Sequence, residues 1–86
     1  MASRVVLFTT ASCTYCGHAR NLLSKRGVEF EEVDLSDDPE LQAQLTEVTG
    51  LESYPQIVVD GEPLGGLNEL RAAEKSGVMA AWADAA

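Results

Sequence analysis

The chain has two cysteines, and they stand three positions apart in Cys13-Thr14-Tyr15-Cys16. Such a pair can form a structural disulfide, hold a metal, exchange thiols with disulfides, or pack as two small inert hydrophobes. A disulfide closing so short a loop would restrict the unfolded chain very little. A four-ligand zinc site would need two further ligands, and the only histidine is His18. Redox exchange is therefore the best supported reading, and no metal site is expected.

The flanking sequence places this pair. Residues 4–9 form a short, continuously apolar run rich in β-branched side chains, which predicts a buried central strand. Residues 10–13 read as a loop. Ala19, Leu22 and Leu23 then mark an apolar stripe at helical spacing, and Gly27 sits where a C-terminal cap belongs. A helix is expected over about residues 14–26. Cys13 thus falls where a strand hands over to a helix, and the unpaired N–H groups and dipole there favour an anion. At such a site a thiol pKa falls from about 8.5 into the range of roughly 3.5 to 7.5. Cys13 is the expected attacking thiolate. Cys16, one turn later and further inside, is the expected resolving thiol.

The remaining elements follow from the same signals. Residues 29–35 predict a strand whose apolar members are Phe30, Val33 and Leu35. Asp37, Asp38 and Pro39 predict a helix start, with Leu41, Leu45 and Val48 as its buried face and Gly50 as its end. Residues 56–59 predict a third strand, Asp60-Gly61 a hairpin turn, and residues 62–64 a short fourth strand. Gly65-Gly66 breaks the chain, Asn68 is the expected cap of a helix through about residue 74, and residues 78–82 predict an amphipathic tail. The order βαβαββα implies a right-handed parallel crossover followed by an antiparallel hairpin. The expected fold class is α/β: a four-stranded mixed sheet flanked by helices.

Eighty-six residues suit one domain, here residues 1–86. Fourteen acids against six bases give a formal charge of −8, which argues against nucleic-acid binding. The acids thicken over residues 29–40, which reads as a solvated face. No apolar run approaches membrane-spanning length, so no membrane partner is expected. The first apolar run is too short for a signal-peptide core, and a cytoplasmic protein is the expectation.

Three segments resemble the glutaredoxin family of the thioredoxin-like fold: Cys13-Thr14-Tyr15-Cys16, Tyr54-Pro55-Gln56-Ile57, and Gly65-Gly66-Leu67-Asn68-Glu69-Leu70. Their order and spacing cover nearly the whole chain. The resemblance implies a cis peptide before Pro55, and pairing of the Tyr54 backbone with the cysteine portion of bound glutathione. It implies that Gly66 lets backbone approach the ligand and that N–H groups of Leu67 and Asn68 hold the γ-glutamyl carboxylate. Tyr15 matches a position whose ring flanks glutathione, and Gln42 one that reaches the glycine carboxylate in some relatives. Thr10 stands where relatives often carry Lys or Arg, Asn68 where many carry Asp, and Tyr54 where Val is usual. Arg20 is a candidate replacement for the missing charge.

The activity implied is a glutathione-dependent thiol–disulfide oxidoreductase, a monomer acting on disulfide-containing or glutathionylated proteins. Two alternatives stay open. One is a redoxin reduced by a thioredoxin-reductase-like flavoenzyme. The other is a [2Fe–2S] carrier using Cys13 and glutathione, since Thr14 stands where an obstructing proline often sits.

Overall fold

Val5, Leu7 and Thr9 alternate with Val6 and Phe8 along strand β1 (Val5–Thr9), so the two sets face opposite sides of the sheet. A computed structural model of the chain, describing residues 3–11 and 13–83, buries the first set and half-buries the second. Ser12, in the loop expected over residues 10–13, and the first two residues lie outside the described ones.

The order is β1, α1 (Cys16–Lys25), β2 (Phe30–Asp34), α2 (Pro39–Thr49), β3 (Gln56–Val59), β4 (Glu62–Gly65), α3 (Leu67–Ser76) and α4 (Val78–Trp82). The four strands form one mixed sheet in the order β2-β1-β3-β4, flanked by helices. β1 pairs parallel with β2 and antiparallel with β3, so the strand that delivers the cysteine pair is central. Asp60 and Gly61 both have positive φ, the geometry of a two-residue hairpin turn between β3 and β4. Asp60 also accepts from the Arg4 N–H through its side chain and donates its own N–H to the Arg4 carbonyl, each at 2.8 Å. The hairpin is thereby tied to the start of β1.

One apolar cluster joins Val5, Leu7 and Ile57 of the sheet to Ala19 and Leu23 of α1, Leu70 and Ala73 of α3, and Met79 and Trp82 of α4. Each large side chain buried this way contributes about 1.5–3 kcal/mol. The tail over residues 78–82 is thus part of the core, and its position fixes α3 against the sheet.

The expected buried face of α2 is corrected. Leu45 is buried, but Leu41 is 36% exposed and Val48 73% exposed. The stripe does mark one helical face, yet only its centre meets the body of the protein. The ends of α2 follow the signals closely: the Asp38 side chain accepts from the Leu41 N–H, Pro39 occupies the first turn, and Gly50 caps the end with φ 74°.

Candidate active site

β1 ends at Thr9, and the chain turns at once, with the Cys13 N–H donating to the Thr10 carbonyl at 3.2 Å. Helix α1 begins at Cys16, two residues later than expected, because residues 13–15 belong to this turn. Tyr15 is its N-cap and makes no side-chain capping bond. The first N–H groups of α1 are therefore directed at the turn that carries Cys13. Cys13 and Cys16 form a disulfide with their Cα atoms 5.5 Å apart. Cys13 is half-buried, whereas Cys16 is only 3% exposed and packs inward from the first turn of the helix. The two sulfurs differ in access, as an attacking and a resolving thiol must.

The loop before the pair is held from the neighbouring crossover. The Ala11 N–H donates to the Ser36 hydroxyl at 2.6 Å, and Ser36 in turn donates to the Asp34 carboxylate. That hydroxyl hydrogen bond, with one from the Ser36 N–H, holds the Asp34 carboxyl below its ordinary range. The Leu35 N–H closes the arrangement on the Thr9 carbonyl at 2.8 Å.

Beside the pair lies an open cavity of about 530 Å³, lined by Tyr15, residues 53–55, residues 66–68 and Arg71. The peptide between Tyr54 and Pro55 is cis. Pro55 leads directly into β3, where Gln56 is 1% exposed and fully engaged. Gln56 accepts from the Thr49 hydroxyl at 2.9 Å and donates to the Leu51 carbonyl at 3.0 Å. This buried amide fastens the end of α2 to the strand that presents Pro55.

The opposite wall starts at Gly65 and Gly66. A Cβ at Gly65 would stand 2.6 Å from the Glu69 side chain, and its φ of 130° also demands glycine. Gly66 is the N-cap of α3, so the expectation that Asn68 caps this helix is corrected. Asn68 is inside the first turn. The capping contact comes from Glu69, whose carboxylate accepts from the Gly66 N–H at 2.7 Å. The N–H groups of Leu67, Asn68 and Glu69 have no carbonyl one turn earlier in the helix to bond. Two of these residues, Leu67 and Asn68, line the cavity.

The structure therefore gathers Tyr15, Tyr54, Pro55, Gly66, Leu67 and Asn68 around one cavity, which meets the turn between Cys13 and Cys16 at Tyr15. Gln42 does not join them. It lines a separate depression of about 380 Å³ with Thr10, Ala11, Ser36, Glu52 and Tyr54, and its side-chain amide donates to the Leu35 carbonyl. Tyr54 borders both spaces. Its hydroxyl is buried without a hydrogen-bond partner among the described residues, and burial pushes its pKa upward.

Arg20 does not serve the cavity either. It forms a two-pronged pair with Glu32 of β2 at 2.6 and 2.7 Å, and this hydrogen bonding holds the Glu32 carboxyl below its ordinary range. The positive charge at the cavity is Arg71, which belongs to none of the three motif segments. Its spacing carried the signal: Arg71 is four residues after Leu67 and shares its helical face. His18 is exposed, with its ring 6.1 Å from that of Tyr15.

A family model described as Glutaredoxin matches residues 5–64. The chain is 40% identical over 75 residues to a glutaredoxin of Pseudomonas aeruginosa, covering 87% of this chain and 89% of that protein. Among solved structures it superposes on a glutaredoxin–glutathione complex from buckwheat with a TM-score of 0.82, at 25% identity, over 90% of this chain and 73% of that one. It also matches the solution structure of a glutaredoxin from Brucella melitensis with a TM-score of 0.78, at 34% identity, over 96% and 94% of the two chains. With a strand-to-helix CxxC disulfide that joins a half-buried Cys13 to a buried Cys16, this chain belongs to the glutaredoxin family of thiol–disulfide oxidoreductases.

Proposed function

We propose that this oxidoreductase uses glutathione as reductant and co-substrate, and that it acts in the cytoplasm as a monomeric single domain on protein disulfides and glutathionylated thiols. Cys13 attacks the substrate disulfide and forms a mixed disulfide. With a protein disulfide, Cys16 attacks that intermediate, releasing the reduced substrate and leaving the Cys13–Cys16 bond. Two glutathione molecules then reduce this bond and become glutathione disulfide. With a glutathionylated substrate, Cys13 takes the glutathionyl group and a second glutathione removes it.

The observation that carries this reading is the cavity beside the cysteine pair. It combines a cis-proline segment on one wall with the N-terminus of α3 on the other. In this reading the Tyr54 backbone pairs with the cysteine portion of glutathione. The N–H groups of Leu67 and Asn68 hold its γ-glutamyl carboxylate, favoured by the helix dipole. Pro55 and Tyr15 flank the ligand, Gly66 admits it, and its glycine end passes Tyr54 into the depression that Gln42 lines. The buckwheat relative was solved with glutathione, which supports the same use of the cavity here.

A second reading has one observation in its favour. Among the described residues no Lys or Arg lines the depression around Thr10 and Gln42, and Glu52 adds a negative charge there. A glycine carboxylate would find no cation at that end, which suits a flavoenzyme donor in place of glutathione. Coupled turnover assays with each donor separate the two. We expect turnover with glutathione and glutathione reductase; activity only with the flavoenzyme would overturn the proposal. The [2Fe–2S] reading needs four thiolates, and one chain offers two.

A further inference from the structure

We propose that the depression between α1 and α3 is a docking site for an acidic side chain in the segment flanking the substrate's disulfide. Two helical stripes with i, i+4 spacing form its walls: His18 and Leu22 on α1, and Leu67, Arg71 and Lys75 on α3. Its volume is about 290 Å³, room for a carboxylate side chain and an apolar neighbour. Leu67 and Arg71 also line the cavity beside the cysteine pair, so the two spaces adjoin along α3. His18 connects the depression to the CxxC turn through its approach to Tyr15.

The charges single this place out. The chain carries −8 overall, and three of its six Lys and Arg residues are consumed in ion pairs: Arg4 with Glu31, Arg20 with Glu32, and Arg26 with Glu74. Lys25, Arg71 and Lys75 make no ion pair among the described residues, and two of these three line the depression. Among the described residues Glu74 is the only acid lining it, and the pair with Arg26 already engages that carboxylate. Half-buried Leu22 and Leu67 supply an apolar floor, where contact with a substrate chain would reduce screening of the cations. An acidic protein thus presents a local cationic groove beside its reactive disulfide, and a substrate segment with Asp or Glu near its cysteine is complementary to it.

The overall charge and the local groove predict opposite orders, which makes the test a matter of sign. Three disulfide-linked peptide dimers, identical except for Glu, Gln or Lys three residues from the cysteine, are mixed with pre-reduced protein and no glutathione. In this single turnover Cys13 and Cys16 are oxidised to their disulfide, and each dimer is reduced to two peptide thiols. The outcome is therefore independent of whether glutathione or a flavoenzyme is the donor. We expect second-order rate constants in the order Glu, Gln, Lys, with about three- to tenfold between the ends, shrinking as salt is raised. Lys75→Glu should reverse the order and Lys75→Gln should compress it, with circular dichroism reporting the fold of both. If the Lys peptide reacts fastest with the wild type, or Lys75→Glu and Lys75→Gln both keep the wild-type order, the proposal is wrong.

Discussion

Gly65 and Glu69 are packed so closely that any side chain at Gly65 would collide with the Glu69 side chain at 2.6 Å. The same Glu69 carboxylate caps α3 at the Gly66 N–H. A glycine, a carboxylate and the N-terminus that faces the active-site cavity are therefore one unit. Gly65→Ala should destabilise the fold by about 2–4 kcal/mol, from the positive φ and from loss of the capping contact. Gly66→Ala should cost less, about 1 kcal/mol or under, since its Cβ would meet the Pro55 carbonyl at an ordinary 3.5 Å. Urea unfolding at unchanged m-value checks both; equal losses would contradict the account.

Tyr54 buries its hydroxyl without a partner among the described residues. Deleting that oxygen removes a group that was already desolvated, so Tyr54→Phe should leave stability unchanged or raise it by up to about 1 kcal/mol. Spectrophotometric titration should also lose an ionisation lying above the ordinary tyrosine value, because burial disfavours the phenolate. A large loss of stability would mean that the hydroxyl has a protein partner.

Glu32 is held below the ordinary carboxylate range by its hydrogen bond from Arg20, and its pKa is therefore lower folded than unfolded. A depressed carboxylate stabilises the fold above the unfolded value of about 4.3, and that contribution vanishes as pH falls through the folded value. The stability difference between wild type and Glu32→Gln should be flat from neutral pH down to about pH 5 and shrink below it. It should also be small, since the Arg20 and Glu32 side chains are 45% and 31% exposed. Urea midpoints at stepped pH measure it; a difference that grows on acidification would contradict the assignment.

The chemistry was legible in the sequence because it is local. Cys13 and Cys16 lie on one turn, and apolar periodicity on both sides identifies the strand and helix that hold them. The end signals of α2, Asp38-Pro39 and Gly50, are also local and appear where expected. What was not legible depends on contacts distant in sequence. Val48 fits a buried stripe, but whether a helix meets the core along its whole length is decided by elements elsewhere in the chain. The start of α3 is a local exception: Asn68 has the right side chain for a cap, yet Glu69 reaches back three residues to Gly66 and sets the start there. Arg71 and Arg20 look alike as isolated bases. Only the fold puts a Glu32 carboxylate beside one and an open cavity beside the other.

The central claim is the division of labour between a half-buried Cys13 and a buried Cys16 in glutathione-dependent exchange. Turnover by wild type, Cys13→Ser and Cys16→Ser, with one glutathionylated substrate and one protein disulfide, tests it most directly. Cys13→Ser should be inactive on both. Cys16→Ser should keep activity on the glutathionylated substrate and lose it on the protein disulfide, because no second thiol remains to resolve the intermediate. Activity of Cys13→Ser on either substrate, or full activity of Cys16→Ser on the protein disulfide, would contradict it.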